Sequence, residues 1–245
     1  MSSSINQTLI WDQKMTMKSV LGTFSKGNET ARSINFSESG GENCSGRCPH
    51  KGNSCYAERV EKLYPSAKKS GIAKRKMGAV QILNRATMEI RTLRNVWLRV
   101  SVLGSLPKIS QAKREKGFAV AFENFLKAVK ESGSKIHIPV EDYEKASFYT
   151  ELAGNWAVIR ESCFSKKRVL ETPNKASHVI GEKGTPMQTR IDQCHDFART
   201  IRKTGKTAIV CAAVKPRNYT GRPVKCGDCT ACSSEKVDVV LYPLH

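Results

Sequence analysis

Nothing in the 245-residue chain approaches the ~18 consecutive apolar residues of a membrane-spanning helix. The first ten residues, MSSSINQTLI, lack the basic start and long apolar run of a secretory leader. Together these absences argue against a membrane partner and predict a cytoplasmic protein. The chain has no G-x-x-x-x-G-K-[ST] phosphate loop, no G-x-G-x-x-G, no G-x-S-x-G and no H-E-x-x-H. The familiar nucleotide, serine-hydrolase and zinc-protease signatures are therefore missing. No internal repeat and no low-complexity tract is visible. Acidic residues are also scarce, with 22 Asp and Glu against 41 Lys and Arg, for a formal charge of +19.

A field of that sign favours polyanions, most simply nucleic acid. The basic residues crowd into 68–76, 113–116, 166–168 and 199–203. A solvated basic surface that keeps the protein soluble is the competing account, because clustering without interleaved aromatics is weak support for nucleic-acid binding.

What is present, and unusual, is cysteine. There are nine, an odd number that a closed disulfide set does not allow. In a reducing compartment, clustered thiols read as metal ligands or reactive groups. Cys44, Cys48 and Cys55 lie in GGENCSGRCPHKGNSCYAE, and Cys226, Cys229 and Cys232 lie in KCGDCTACSS. Three thiolates held that close repel one another unless a cation lies between them, as zinc or an iron–sulfur cluster does.

Around these loops, strand and helix patterns alternate. Strands are predicted at 33–39, 97–104, 135–141, 156–162, 177–183, 207–214 and 237–245. Helices are predicted at 56–65, 77–96, 118–133, 142–154 and 189–205, with Asp142 as an N-cap and Gly133 as a C-cap. Alternation with short connections predicts a mostly parallel sheet of about six strands, as a partial (β/α) barrel or an open doubly wound sheet. Residues 1–30 read as a polar extension, 31–245 as a single α/β domain, and 211–245 as its Cys-rich end. In either architecture the site belongs at the C-terminal ends of the strands. Both cysteine loops follow predicted strands, so they are expected on one rim.

The first loop has the spacing C-x3-C-x6-C. Three sulfurs leave one corner of a [4Fe–4S] cluster open, where S-adenosylmethionine binds in radical enzymes. A structural zinc site completed by a fourth ligand such as His50 is one alternative, and a loop that holds no metal is the other. CSGRCPHKGNSCYAE is similar to the CP-x2-CP-L-x-G-x-G-CYA element of phage-encoded, radical-SAM-like families of unknown function. LRVSVLGS resembles their R-x-G-x-x-GDP strand, except that Gly104-Ser105-Leu106 stands where an acidic GDP is expected. KIHIPVEDYEKASFYTELAGNWAVIRES resembles their next strand–helix–strand unit, and CAAV, CGDCTAC and LYPLH their closing elements. The resemblance spans about residues 33–245. It implies a partial barrel with a cluster at its rim, in the host cytoplasm if phage-encoded, and supplies no substrate.

The C-x2-C-x2-C spacing of the second loop is a strong metal signal, with Cys211 or His245 as a fourth ligand. It reads as a structural zinc knuckle, an auxiliary iron–sulfur cluster, or a centre shared with the first loop. Candidate cofactor-binding groups at strand ends are Gly104, Ser105, His137, Glu141, Arg160 and Glu161. Glu141 and Asp142 suit a ribose or an ammonium group, and Arg160, Glu161 and Ser162 a cofactor carboxylate, with a surface ion pair as the competing account of the latter. His137 faces the barrel interior if Ile136 and Ile138 face the helices, and a satisfied core histidine is the plainer reading. Cys163 reads as structural, and adjacent Cys194 and His195 point apart on a helix. Two functions follow: an iron–sulfur protein of the radical SAM type acting on a nucleic acid or nucleotide, or a non-catalytic zinc protein that binds nucleic acid or a host protein.

Overall fold

The computed structural model describes residues 19–23, 31–39, 43–44, 55–101, 105–182, 184–211 and 229–243. Among them are the strands β1 (Leu21–Thr23), β2 (Ala31–Ile34), β3 (Trp97–Val100), β4 (Lys135–Val140), β5 (Ile159–Cys163), β6 (Ala176–Ile180), β7 (Ala208–Val210) and β8 (Val239–Pro243). The helices are α1 (Tyr56–Leu63), α2 (Pro65–Met77), α3 (Ala79–Thr92), α4 (Ile109–Arg114), α5 (Phe118–Glu131), α6 (Tyr143–Ala153), α7 (Lys166–Glu171) and α8 (Met187–Arg202). One sheet runs in the order β1-β2-β3-β4-β5-β6-β8-β7. All its pairings are parallel except β1 with β2.

Each of the seven expected strand segments overlaps a strand, though β2 covers only the first two residues of 33–39. An eighth, β1, comes from the stretch read as a polar extension. Strands β2 to β6 follow one another in space without a reversal, as in a singly wound, barrel-like sheet rather than a doubly wound one. Only at the far edge does the order change, where β8 inserts between β6 and β7.

Alternation along the strands explains why the helices collect on one face. Leu98, Val100, Ile136, Ile138, Val140 and Ile159 bury themselves against Ile82, Leu83, Phe122, Leu126 and Tyr149 of α3, α5 and α6. Ala176, Ile180, Val239 and Leu241 do the same against Val169, Phe197, Ala198 and Ile201 of α7 and α8. Helix α5 carries its apolar residues at Phe118, Phe122, Phe125, Leu126 and Val129, the spacing of one helical stripe. The chain leaves it through Gly133 at φ 70°, a conformation glycine adopts without steric cost. Asp142 caps α6 as predicted, accepting from the Lys145 amide at 2.8 Å. Pro65 ends one helix and occupies the first turn of the next, where its missing N–H costs nothing. That second helix, α2, and the short α4 and α7 lack a broad apolar stripe and were not expected.

Residues between the helix-facing positions point to the other, inner face. There β3, β4 and β5 contribute Arg99, His137 and Arg160, and β8 contributes Val240 and Tyr242. Among the described residues no helix is long and apolar enough to cross a membrane.

Candidate functional site

The first cysteine loop is anchored at the C-terminal ends of β3 and β4. Asn43, the residue before Cys44, donates from its side chain to the Ser105 carbonyl at 3.4 Å, just past β3. Its own carbonyl accepts from Lys145 Nζ at 3.3 Å, in the first turn after β4. Lys145 Nζ also reaches Ser105 Oγ at 2.7 Å and Glu141 Oε1 at 2.8 Å, and Ser105 Oγ lies 2.6 Å from both Glu141 oxygens. Asn43, Ser105 and Lys145 are buried. A buried ammonium needs this full set of acceptors to offset its lost hydration. Tyr149 Oη holds the following turn by donating to Pro107 O at 2.9 Å, and burial raises its phenol above the ordinary value.

The same loop is closed at its base. The Ser39 amide and hydroxyl both donate to the Glu61 carboxylate of α1, at 2.7 and 2.6 Å. Cys55 opens α1, its carbonyl accepting from the Arg59 amide at 3.1 Å. Cys44 and Cys55 are both half-buried, one near each end of a loop whose flanks are pinned together. Pinning reduces the conformational entropy lost when a loop gathers its ligands around an ion. Cys48 lies outside the described residues, as does Gly104.

Arg160 has a different task from the one expected. Its Nε donates to Cys232 O at 2.8 Å, and Nη2 donates to Ala231, Ser234 and Val237 carbonyls at 3.1, 3.0 and 3.0 Å. Nη1 approaches Ala176 O and Asp238 O at 3.5 and 3.4 Å. The guanidinium is fully buried and its donors are engaged by backbone carbonyls, so it holds no cofactor carboxylate. Glu161 does not share its face. One residue along the strand it turns toward the helices and binds Arg168, Thr172 Oγ1 and Asn174 Nδ2 at 2.5, 2.6 and 3.1 Å. The period of two along a strand separates these neighbours.

This clamp places the backbone of the Cys232 turn away from the expected common rim. The turn of 3-10 helix at Ala231–Ser233 hangs from Arg160 beside Ala176 and Asp238, where β6 and β8 begin. The Cys-rich segment is the crossover between two parallel strands. Its last residues must therefore return to the strand starts, whereas Asn43 and Cys44 lie at strand ends. Cys232 Sγ, from that turn, meets Tyr242 Oη at 2.9 Å on the inner face. Burial raises the Cys232 thiol, and it raises the Tyr242 phenol well above its usual value. The pair is therefore a neutral hydrogen bond at pH 7. Cys211 follows β7 and donates its amide to Leu241 O at 2.8 Å. Cys226 and His245 lie outside the described residues. Among the described residues no three His, Cys, Asp or Glu side chains converge as a metal site.

His137 does face inward. Its ring lies 6.4 Å from that of Tyr242, and Nε2 is buried with no hydrogen-bond partner among the described residues. Burial, with the Arg99 and Arg160 guanidiniums, holds the imidazole well below its ordinary pKa, so it is neutral. Burial pushes the Cys163 thiol up to about 12 and the Cys194 thiol up to about 11, which makes both unreactive. Cys194 is buried and His195 exposed, as expected of neighbours on a helix.

Three residues here escaped the sequence reading: Asn43, Lys145 and Tyr242. Lys145 had a signal, since it follows Glu141 at i+4 and bridges to it. Asn43 and Tyr242 had none, because their partners are distant in sequence. Compared with known proteins, the chain matches no family model, no curated protein and no solved structure.

Proposed function

We propose that the chain is an iron–sulfur protein of the radical SAM type, with Cys44, Cys48 and Cys55 as the cluster ligands and a nucleic acid or nucleotide as substrate. The observation that supports this reading most is the tie from Asn43 to Ser105 and Lys145, which sets Cys44 at the C-terminal ends of β3 and β4. Catalytic groups of parallel α/β sheets gather at that end. The donor set fits the group, with half-buried Cys44 and Cys55 flanking a loop closed by Ser39 and Glu61. A cluster bound there supplies an electron for cleaving a C–S bond of S-adenosylmethionine.

The chain's own residues have separable tasks in this reading. Lys145, Ser105 and Glu141 position the loop, and neutral His137 offers Nε2 to a ligand on the inner face. The test is protein made and purified without air. About four irons with absorbance near about 400 nm, lost in the Cys44→Ala/Cys48→Ala/Cys55→Ala variant, is the expected result. Zinc in place of iron, without colour, overturns it. S-adenosylmethionine cleavage under reducing conditions then tests the chemistry.

The alternative, a non-catalytic zinc protein, draws support from Arg160. That clamp builds the turn of Cys232 into the fold, as a structural knuckle would be. The same metal count separates the two.

A further inference from the structure

Seven basic residues and no acidic one lie between Glu61 and Glu89. Most belong to α2, which follows the first cysteine loop after a single helix. Lys68, Lys69 and Lys76 are exposed. At the foot of α2, Leu63 is 63% and Tyr64 62% exposed, so an aromatic ring stands beside the basic face. Each of the other basic clusters has an acidic residue within it or close to it in sequence. Arg168 is bound to Glu161, Lys167 to Glu171 and Arg199 to Asp196, while Glu115 within 113–116 caps α3 through the Val80 amide.

Helix α2 is also held close to the loop. A Cβ at Gly71 would meet Glu38 Cα and N at 2.7 Å, so only glycine allows this approach. Arg75 bridges to Glu38 at 3.2 Å, and Lys74 Nζ donates to Val20 O at 3.0 Å. Helix α1, about 12 Å long at 1.5 Å per residue, separates Tyr64 from Cys55.

We propose that α2 and the Leu63–Tyr64 corner are a docking surface for single-stranded nucleic acid. Lys68, Lys69 and Lys76 neutralise successive phosphates, and the Tyr64 ring stacks an unpaired base. A single strand is favoured over a duplex because only an unstacked base presents its face to a tyrosine. A lipid surface is disfavoured because Leu63 and Tyr64 are the only large apolar side chains exposed there, and the exposed positions of α2 itself, such as Ser66, Lys68, Lys69, Ser70, Ala73 and Lys76, add none to bury beneath headgroups. The role of this surface, presenting a base near the first cysteine loop, rests on the reading of that loop as the reacting centre.

The test measures binding of a short labelled oligothymidylate to the full chain by fluorescence anisotropy at several salt concentrations. Lys68→Glu/Lys69→Glu is compared with Lys116→Glu/Lys203→Glu, which lowers the net charge equally elsewhere on the surface. The first pair is expected to weaken binding at least about tenfold and to flatten the salt dependence, by about 0.7 in log–log slope per lost contact. Tyr64→Ala is expected to weaken single-strand binding about tenfold and duplex binding little. Equal affinities for the two charge-reversed pairs overturn the proposal. So does binding to phosphatidylserine vesicles without binding to the oligonucleotide. Iron and zinc are counted in the same preparations, and melting temperatures confirm folding. A metal-free chain that binds the strand and loses it on reversing Lys68 and Lys69 supports the docking surface while removing the cluster reading.

Discussion

The Arg160 guanidinium and the Cys232 carbonyl oxygen lie 2.8 Å apart, in a set of bonds that fastens the last cysteine turn to the sheet. The acceptors are carbonyls at both ends of that turn, in Ala231, Ser234 and Val237. A buried cation thus satisfies backbone groups that a helix or a strand ladder would otherwise serve. Arg160→Met should lower stability by about 3 kcal/mol or more, since several buried acceptors lose their donor together. Arg160→Lys should recover only part of this, because an ammonium has no planar fork. Urea midpoints measure both; a loss under about 1 kcal/mol for the Met variant would refute the clamp.

Lys145 performs the corresponding task at the other cysteine loop. Lys145→Met leaves Glu141 and the Asn43 carbonyl without their cation, and we expect a loss of about 2–3 kcal/mol. Metal retention by the first loop should fall as well. The Glu141→Gln/Lys145→Met double variant should cost less than the two single changes added together. Strict additivity would show that the pair does not act as a unit.

The two cysteine sets should load independently. Cys44 lies at strand ends and the turn of Cys232 at strand starts. We expect Cys226→Ser/Cys229→Ser/Cys232→Ser to leave the metal content of the first loop unchanged. Loss of iron from both loops in that variant would establish a shared centre.

Glu161 predicts how the fold meets acid. Burial alone would raise its carboxyl, but the bonds from Arg168, Thr172 and Asn174 outweigh this and hold it below the ordinary range. A depressed folded value makes its contribution complete above the unfolded pKa of about 4.3, and the contribution is lost as pH falls through the folded value. Glu161→Gln should therefore destabilise the chain by about 1–3 kcal/mol at pH 7 and flatten the decline at acid pH. An unchanged acid slope in denaturant titrations would count against the network.

The buried histidines act at milder pH. His137 is held well below, and His178 below, the ordinary value, each chiefly by burial. Below about pH 6.5 the unfolded chain binds protons at these positions that the folded chain refuses, so stability falls as pH drops. His137→Leu should reduce that slope by about one proton, read from stability measured across pH 5 to 7.

Much of this architecture is legible in local pattern. The two-residue period of 135–141 put Ile136 and Ile138 on one face and His137 on the other, and the structure decided that the helices cover the isoleucines. Asp142 announced its helix, and the strand–helix alternation announced a parallel sheet. The period of two also hides a trap, because adjacent Arg160 and Glu161 looked like one site and serve opposite faces. Helix α2 was invisible because its sequence, PSAKKSGIAKRKM, carries no core-facing stripe; its place depends on Gly71 meeting Glu38 across 33 residues of chain.

By itself the amino-acid order determined the elements, the helix-facing residues and the presence of two thiol-rich loops, because propensity, periodicity and capping act between near neighbours. Tertiary structure alone decided where the described ends of those loops lie. The path back into β8 carries Cys232 to the strand starts, while Lys145 and Ser105 hold Asn43 at strand ends. Contacts between residues far apart in sequence depend on strand order and direction, which no local pattern encodes.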